Sequence, residues 1–151
     1  MKKKRALIIS IIIILLLCVG IYLFLNNSKK FYPKEGKILD YNYTIGESKI
    51  VGTGFELANG YTKTITDNYV EYTIVKGTNT DEDKAKIYVK DIKKEYGNTV
   101  TIIVTTPYQI KGDAPDWVCY STVKVRFDTE PENIIIKDTE GNKLSLMNEK
   151  K

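Results

Sequence analysis

The sequence predicts an all-β domain, an antiparallel sandwich or partly open barrel, standing behind a single amino-terminal transmembrane helix. Three observations predict it. Residues 6–25 form an apolar run without one charged side chain. From Ile38 onward, Val, Ile, Thr and Tyr recur with a period of two, the pattern of half-buried strands. Clusters of Gly, Asn, Asp and Pro interrupt that pattern at short intervals, as tight turns do.

The run from Ala6 to Leu25 is 20 residues long, and at ~1.5 Å per residue a helix of that length spans roughly 30 Å, the thickness of a bilayer's hydrocarbon core. In lipid a helix satisfies every backbone amide internally, so the β-branched block Ile8 to Ile14 is no argument for a strand. Lys2, Lys3, Lys4 and Arg5 flank the run on its amino-terminal side and Lys29 and Lys30 on the other. Four charges outvote two, which places the amino terminus inside and the rest of the chain outside. A cleaved signal has a shorter apolar core of about 7 to 15 residues, and cleavage near Cys18 and Gly20 would leave Ile21 to Leu25 exposed at a new terminus. Lipid attachment at Cys18 would need small residues before it, where Leu15, Leu16 and Leu17 stand. The uncleaved anchor is therefore the preferred reading. The expected organisation is a basic cytoplasmic segment 1–5, an anchor 6–25, a polar stalk 26–37, an extracytoplasmic β domain 38–147 and a charged tail 148–151.

Charge and inventory narrow the function. The net charge of +4 arises from 23 basic and 19 acidic residues, and four of the basic ones precede the anchor, leaving a neutral outer portion. The basic balance is thus a topology signal, and nucleic acid is not the expected partner. Histidine is absent, which removes the usual general base of serine and cysteine triads and the commonest zinc ligand. Cys18 and Cys119 lie on different sides of the expected membrane boundary and cannot pair within one chain, so the domain must hold itself by its core. Cys119 is read as a small buried hydrophobe if its strand face is the inner one, the alternative being a free thiol able to cross-link two chains.

The expected strands are Ile38 to Ile45, Ser48 to Phe55, Tyr61 to Thr66 and Tyr69 to Lys76, divided by Gly46, by Ala58-Asn59-Gly60 and by Asp67-Asn68. A polar loop covers residues 77–83. Lys86 to Lys94 and Thr99 to Thr106, joined through Glu95 to Asn98, read as a hairpin. The stretch from Asp81 to Tyr96 also fits an amphipathic helix stopped by Gly97, and the β character of its surroundings favours the strand. Residues 108–117 form the longest irregular stretch. Val118 to Phe127 follows with strict alternation, then Ile134 to Lys137, and finally Lys143 to Leu146 as a possible short last strand.

The candidate chemistry is sparse. Asp81, Glu82 and Asp83 offer oxygen ligands for calcium but lack the spacing and the glycine of a binding loop, and a solvated turn is the better reading. Asp113 and Asp116 are paired carboxylates of the kind glycoside chemistry uses, yet their closeness across Ala114-Pro115 suits a turn. Ser121 and Lys124 stand three apart on a strand, hence on opposite faces, and should not meet. Eleven tyrosines are many for this length, and on strands they fill cores or cover faces. Tyr108 and Trp117, with Asp113 and Asp116 between them, instead mark a candidate partner-binding surface, because such rings concentrate at contact hot spots.

Residues 86–138 present a strand pair (Ile87 to Val104), a Pro- and Gly-bearing excursion to Trp117, then Thr122 to Phe127 and Pro131 to Ile136. This order of elements resembles the carboxyl-terminal domain of PrcB-like protease-complex subunits, exported bacterial accessory proteins. The family opens its first strand with Gly-Gly-Tyr, where this chain has Asp83 to Lys86. The resemblance implies a non-enzymatic partner-binding module at the cell surface. The expected function is therefore a membrane-anchored accessory or binding module for a protein or envelope partner, with no catalytic residue, metal or cofactor. A carboxylate-based envelope hydrolase, and a small secreted inhibitor released near Ser28, are the alternatives.

Overall fold

A computed structural model of the chain describes residues 14–19, 32–54, 58–107 and 117–147. The chain divides into two units, Met1–Phe31 and Tyr32–Lys151. In the first, residues 14–19 are helical. The rest of the expected anchor, the basic segment 1–5 and residues 26–31 of the expected stalk lie outside the described residues, as does the tail 148–151. Among the described residues no helix is long and apolar enough to cross a membrane.

Among its described residues the second unit is all-β with one turn of α-helix and one of 3-10 helix, the latter at Tyr96–Asn98. Its described strands are β1 (Glu35–Ile38), β2 (Tyr41–Ile45), β3 (Lys49–Gly54), β4 (Asn59–Ile65), β5 (Val70–Thr78), β6 (Val89–Glu95), β7 (Thr99–Val104), β8 (Val118–Phe127) and β9 (Asn133–Asp138), with the turn α1 (Glu82–Ala85) between β5 and β6. One sheet has the order β1-β2-β8-β5-β4, with β3 also paired to β8, and the other has the order β6-β7-β9.

β5 and β8 carry the first sheet because their alternation is the cleanest. Val70, Tyr72 and Ile74 pair in register with Phe127, Val125 and Val123, and all six are buried. Glu71, Lys124 and Arg126 take the opposite face, where both cations hydrogen-bond the Glu71 carboxylate. β2 and β3 run along the same edge of β8, Tyr43 opposite Phe127 and Gly54 opposite Val118. Residues 46–48 break the ladder between them, and there the Gly46 amide donates to the Lys124 carbonyl at 2.9 Å. In the second sheet Val89 and Ile92 of β6, Val100, Ile102 and Val104 of β7 and Ile136 of β9 are buried. Side chains from both sheets form one hydrophobic cluster, and each fully buried Val, Ile or Phe in it contributes on the order of 1.5–3 kcal/mol.

Five expectations are corrected. Ile38 to Ile45 is a hairpin rather than one strand, turning at Leu39 and Asp40 with Leu39 at φ 54°. Leucine rarely takes that left-handed conformation, but its side chain packs on the core. The domain consequently begins earlier than Ile38: Glu35 to Lys37 belong to β1, and Tyr32 stacks on Tyr88 with ring centroids 4.5 Å apart.

The pairing is also not antiparallel throughout, since β7 and β9 run parallel from Thr99 opposite Asn133 to Val104 opposite Asp138. The chain leaves the second sheet after β7, passes through β8 in the first sheet and returns as β9, which supplies the long connection a parallel pair needs. The expected loop 77–83 is shortened from both ends, because β5 continues to Thr78 and α1 begins at Glu82; the strand reading of the disputed segment stands from Val89 on.

Lys143 to Leu146, finally, is a strap between the two sheets and not a strand. The Leu144 amide donates to the Ile136 carbonyl on β9 at 2.8 Å. Beyond it the Tyr61 amide on β4 donates to the Ser145 carbonyl at 3.0 Å, and the Met147 amide donates back to the Tyr61 carbonyl at 2.7 Å.

The strap lies so close to β4 that a Cβ at Gly60 would stand 2.7 Å from the Ser145 carbonyl oxygen and 2.5 Å from Met147 Cγ. The side chain of Met147 can move aside but the backbone oxygen cannot without loosening the strap. Gly60→Ala should therefore destabilise the domain by about 1–3 kcal/mol, the scale of an overpacked contact, read from the urea midpoint. An unchanged midpoint would mean that the strap is not seated on β4 as described.

Candidate functional site

Period two puts Lys76 on the same face of β5 as Tyr72 and Ile74, so a cation enters the space between the sheets. Taking an ammonium out of water costs several kcal/mol unless a partner is close. The partner is Asp138, the last residue of β9. Lys76 Nζ donates to Asp138 Oδ2 at 2.7 Å, and the two side chains are 8% and 3% exposed.

The remaining valences of Asp138 are filled locally. Its Oδ1 accepts the backbone amides of Glu140 at 3.0 Å and Asn142 at 2.9 Å, and Oδ2 also accepts Asn142 Nδ2 at 3.1 Å. Burial by itself pushes the Asp138 carboxyl up, but the hydrogen bonds from Lys76 and Asn142 outweigh it and hold the group below the usual aspartate range. A carboxyl held ionised with four donors upon it is a poor general acid and has no lone pair left for a base's work.

The ion pair forms part of the wall of a cavity of about 310 Å³, to which Thr78, Thr106, Pro107 and Asn142 also contribute. Thr78 follows Lys76 by two residues on the same strand face, is 1% exposed, and its hydroxyl has no hydrogen-bond partner. The Thr106 hydroxyl is 3.0 Å from that of Thr139. The wall thus carries both signs, the ammonium of Lys76 with its carboxylate partner and the Glu140 carboxylate beside Asn142, while the Thr78 hydroxyl is buried out of reach of the open space.

Of the residues expected to form the partner-binding surface, Tyr108, Asp113 and Asp116 lie outside the described residues. Trp117 is 37% exposed and immediately precedes β8, whose first residue, Val118, is buried. The two described ends of that stretch are at the cavity's end of the domain: Pro107 is in the cavity wall, and Cys119, two residues after Trp117, pairs with Thr78.

The other candidates resolve into structure. Cys119 is fully buried, and burial, with Glu82 and Asp81 nearby, pushes its thiol up and away from reactivity. Ser121 is buried and accepts the Ile87 amide at 2.9 Å, while Lys124 lies on the outer face against Glu71. The Asp81 carboxylate is exposed and accepts from Lys84 at 3.1 Å. Tyr41, Tyr43 and Tyr72 pack edge-on around Phe127.

Lys76, Thr78, Asp138 and Asn142 were not singled out by the sequence reading. One signal was present: a lysine in phase with Tyr72 and Ile74 is a cation on a core face and demands a carboxylate. Its partner stands 62 residues away, at a position only the fold identifies.

No family model, no curated protein and no solved structure matches the chain.

Because the folded-state carboxyl of Asp138 is depressed, its contribution to stability is complete above the ordinary aspartate value of about 3.9 and disappears as pH falls through the folded value. Asp138→Asn should cost roughly 3–5 kcal/mol at neutral pH, since it leaves Lys76 buried and unpaired. It should also lose less further stability than the parent between neutral pH and the acid limb. Urea titrations of both proteins across that range check this, and parallel pH curves would contradict the assignment.

Proposed function

We propose that the chain is a membrane-anchored, extracytoplasmic binding module that engages a protein or envelope partner and performs no chemistry of its own. The observation that carries this reading is the polar cavity whose wall, with Lys76, Asp138, Glu140 and Asn142, lies at the end of a central strand beside Pro107. Polar groups fixed on a scaffold suit recognition, and the stretch between Pro107 and Trp117 is where connections on such a scaffold carry contact residues. The apolar run 6–25 and its basic flank support the anchor and its orientation. We read the two sheets on one core as a sandwich rather than a barrel. The resemblance of residues 86–138 to PrcB-like subunits points the same way.

The hydrolase alternative needs a carboxyl poised near neutrality. Asp138 is held ionised by Lys76, and burial of Glu71, which alone would raise its carboxyl, is outweighed by Lys124 and Arg126. Neither group is suited to donate a proton at neutral pH, which favours the binding reading.

A reporter fused after Lys151 should be active only outside the membrane. In the same cells, Trp117→Ala should reduce cross-linking to the partner about tenfold or more, the effect of losing a contact hot spot, with the melting temperature of the purified chain little changed. A reporter active inside would overturn the envelope assignment. A destabilised variant that still cross-links fully when folded would remove Trp117 from the contact surface.

A further inference from the structure

We propose that a second copy of this chain adds to the free edge of β4, the two β4 strands pairing antiparallel across a two-fold axis at Thr64. The proposal goes beyond the binding reading above and does not depend on it. β4 is the last strand of its sheet and pairs with β5 from Asn59 opposite Lys76 to Ile65 opposite Val70. The ends of that ladder show which residues face β5: the Gly77 amide donates to the Ala58 carbonyl at 2.8 Å, and the Thr66 amide to the Tyr69 carbonyl at 2.9 Å. Bonding alternates along an antiparallel pair, so Gly60, Thr62 and Thr64 bond β5, while Tyr61, Lys63 and Ile65 direct both their N–H and C=O groups away from it. Tyr61 confirms the phase, since the strap takes its amide and its carbonyl. Among the described residues nothing takes the backbone groups of Lys63 and Ile65, and Lys63, Thr64 and Ile65 are all exposed.

Unpaired edges template the addition of a strand, and sheet proteins blunt them with lysines, bulges, short strands or covering segments. The other edges here are blunted in these ways. β6 carries Lys90, Lys93 and Lys94 and shifts register between Val89 and Asp91, β3 shifts between Ile50 and Gly52, β1 has four residues, and β9 is met by the strap at Lys137. β4 keeps its register throughout and leaves Ile65 60% exposed. Its one charge, Lys63, is answered within the molecule by Glu130 at 2.8 Å. A second copy fits because the open groups are self-complementary. Setting Lys63 opposite Ile65 of the second copy, and Ile65 opposite its Lys63, lets each pair exchange both N–H···O bonds and uses every free group on both strands. Thr64 then faces Thr64, a favourable cross-strand pair, and Lys63 meets an apolar neighbour. A register displaced one way sets Lys63 opposite Lys63 and Ile65 opposite Tyr61, whose groups are taken; displaced the other way, it sets Lys63 opposite Asp67, beyond the end of β4.

The test uses the full chain in detergent micelles, with Cys18→Ser so that only an introduced thiol can cross-link, Cys119 being buried. Opposed residues whose backbone bonds point away from each other have Cα atoms about 4.5 Å apart, within reach of a disulfide. Thr64→Cys should therefore oxidise to a covalent dimer, and Thr62→Cys, displaced along the strand from its counterpart, about tenfold less. Dimerisation without added thiols is read by sedimentation velocity. Ile65→Lys places a cation opposite Lys63 of the second copy, twice per dimer, and should weaken association about tenfold, whereas Ile65→Glu places an anion there and should tighten it severalfold. Position 65 is exposed, so both variants should melt with the parent. In the parent, hydrogen exchange at the Lys63 and Ile65 amides should slow as the chain is concentrated. A chain that stays monomeric into the millimolar range would overturn the proposal. So would a dimer that neither cross-links at position 64 nor responds oppositely to the two charges, because it would form elsewhere. Protection of the two amides that is independent of concentration would overturn it as well, and would assign the edge to the chain's own residues 148–151.

Discussion

A lysine inside a sheet protein must be answered, and here the answer joins the molecule's two halves. The ammonium of Lys76 on β5 and the carboxylate of Asp138 on β9 are 2.7 Å apart with almost no exposure to solvent. Neither charge is tolerable there alone, so the pair favours arrangements in which the end of β9 lies over β5. An apolar pair could be more stable, but many registers would satisfy it. The same carboxylate accepts the amides of Glu140 and Asn142 and so shapes the turn after β9. That turn, closed by Gly141 at φ 91°, sends the chain back along β9 as far as Leu144 and then across to Tyr61 on β4. The buried carboxylate therefore shapes the turn that starts the strap, and Gly60 gives the strap its seat.

The cavity is a by-product of this arrangement. Core side chains fill the space between the sheets around Phe127 and Tyr72, whereas toward the ends of β5 and β9 the wall changes to Lys76, Thr78, Asp138 and Asn142. Lys76 and Asp138 are thereby left at the edge of open space. Lys76 is held by position: β5 lies between β4 and β8, paired to β8 along its whole length and to β4 from Val70 to Lys76. The outer face of the same sheet solves a similar problem without leaving a cavity, since Glu71 is covered by Lys124 and Arg126, and the Arg126 guanidinium in turn lies 4.8 Å from the centre of the Tyr69 ring.

Legibility followed the locality of the causes. β8 was readable from Val118 to Phe127 because its two faces meet different surroundings and the alternation records this residue by residue. The β6–β7 hairpin was readable because Gly97 and Asn98, both at positive φ, are residues that permit such a turn. The β1–β2 hairpin was hidden because Leu39 makes its turn against local preference, held by contacts with the core. The parallel pairing of β9 was hidden because periodicity reports which face is buried and is silent on direction. Among candidate site residues Trp117 was legible as an aromatic at the mouth of a strand. Lys76 and Asp138 were legible only as ordinary charges, since the fact that matters is their proximity.

The central claim is that Lys76 and Asp138 are energetically coupled and together hold the two sheets in register. A double-mutant cycle of Lys76→Met and Asp138→Leu in the full chain, read by urea unfolding at neutral pH, tests it most directly. The account predicts that each single variant is strongly destabilised and that the double variant is more stable than their sum requires, with a coupling of about 2 kcal/mol or more. Additivity within about 0.5 kcal/mol would contradict it, because independent sites behave that way and a buried ion pair does not.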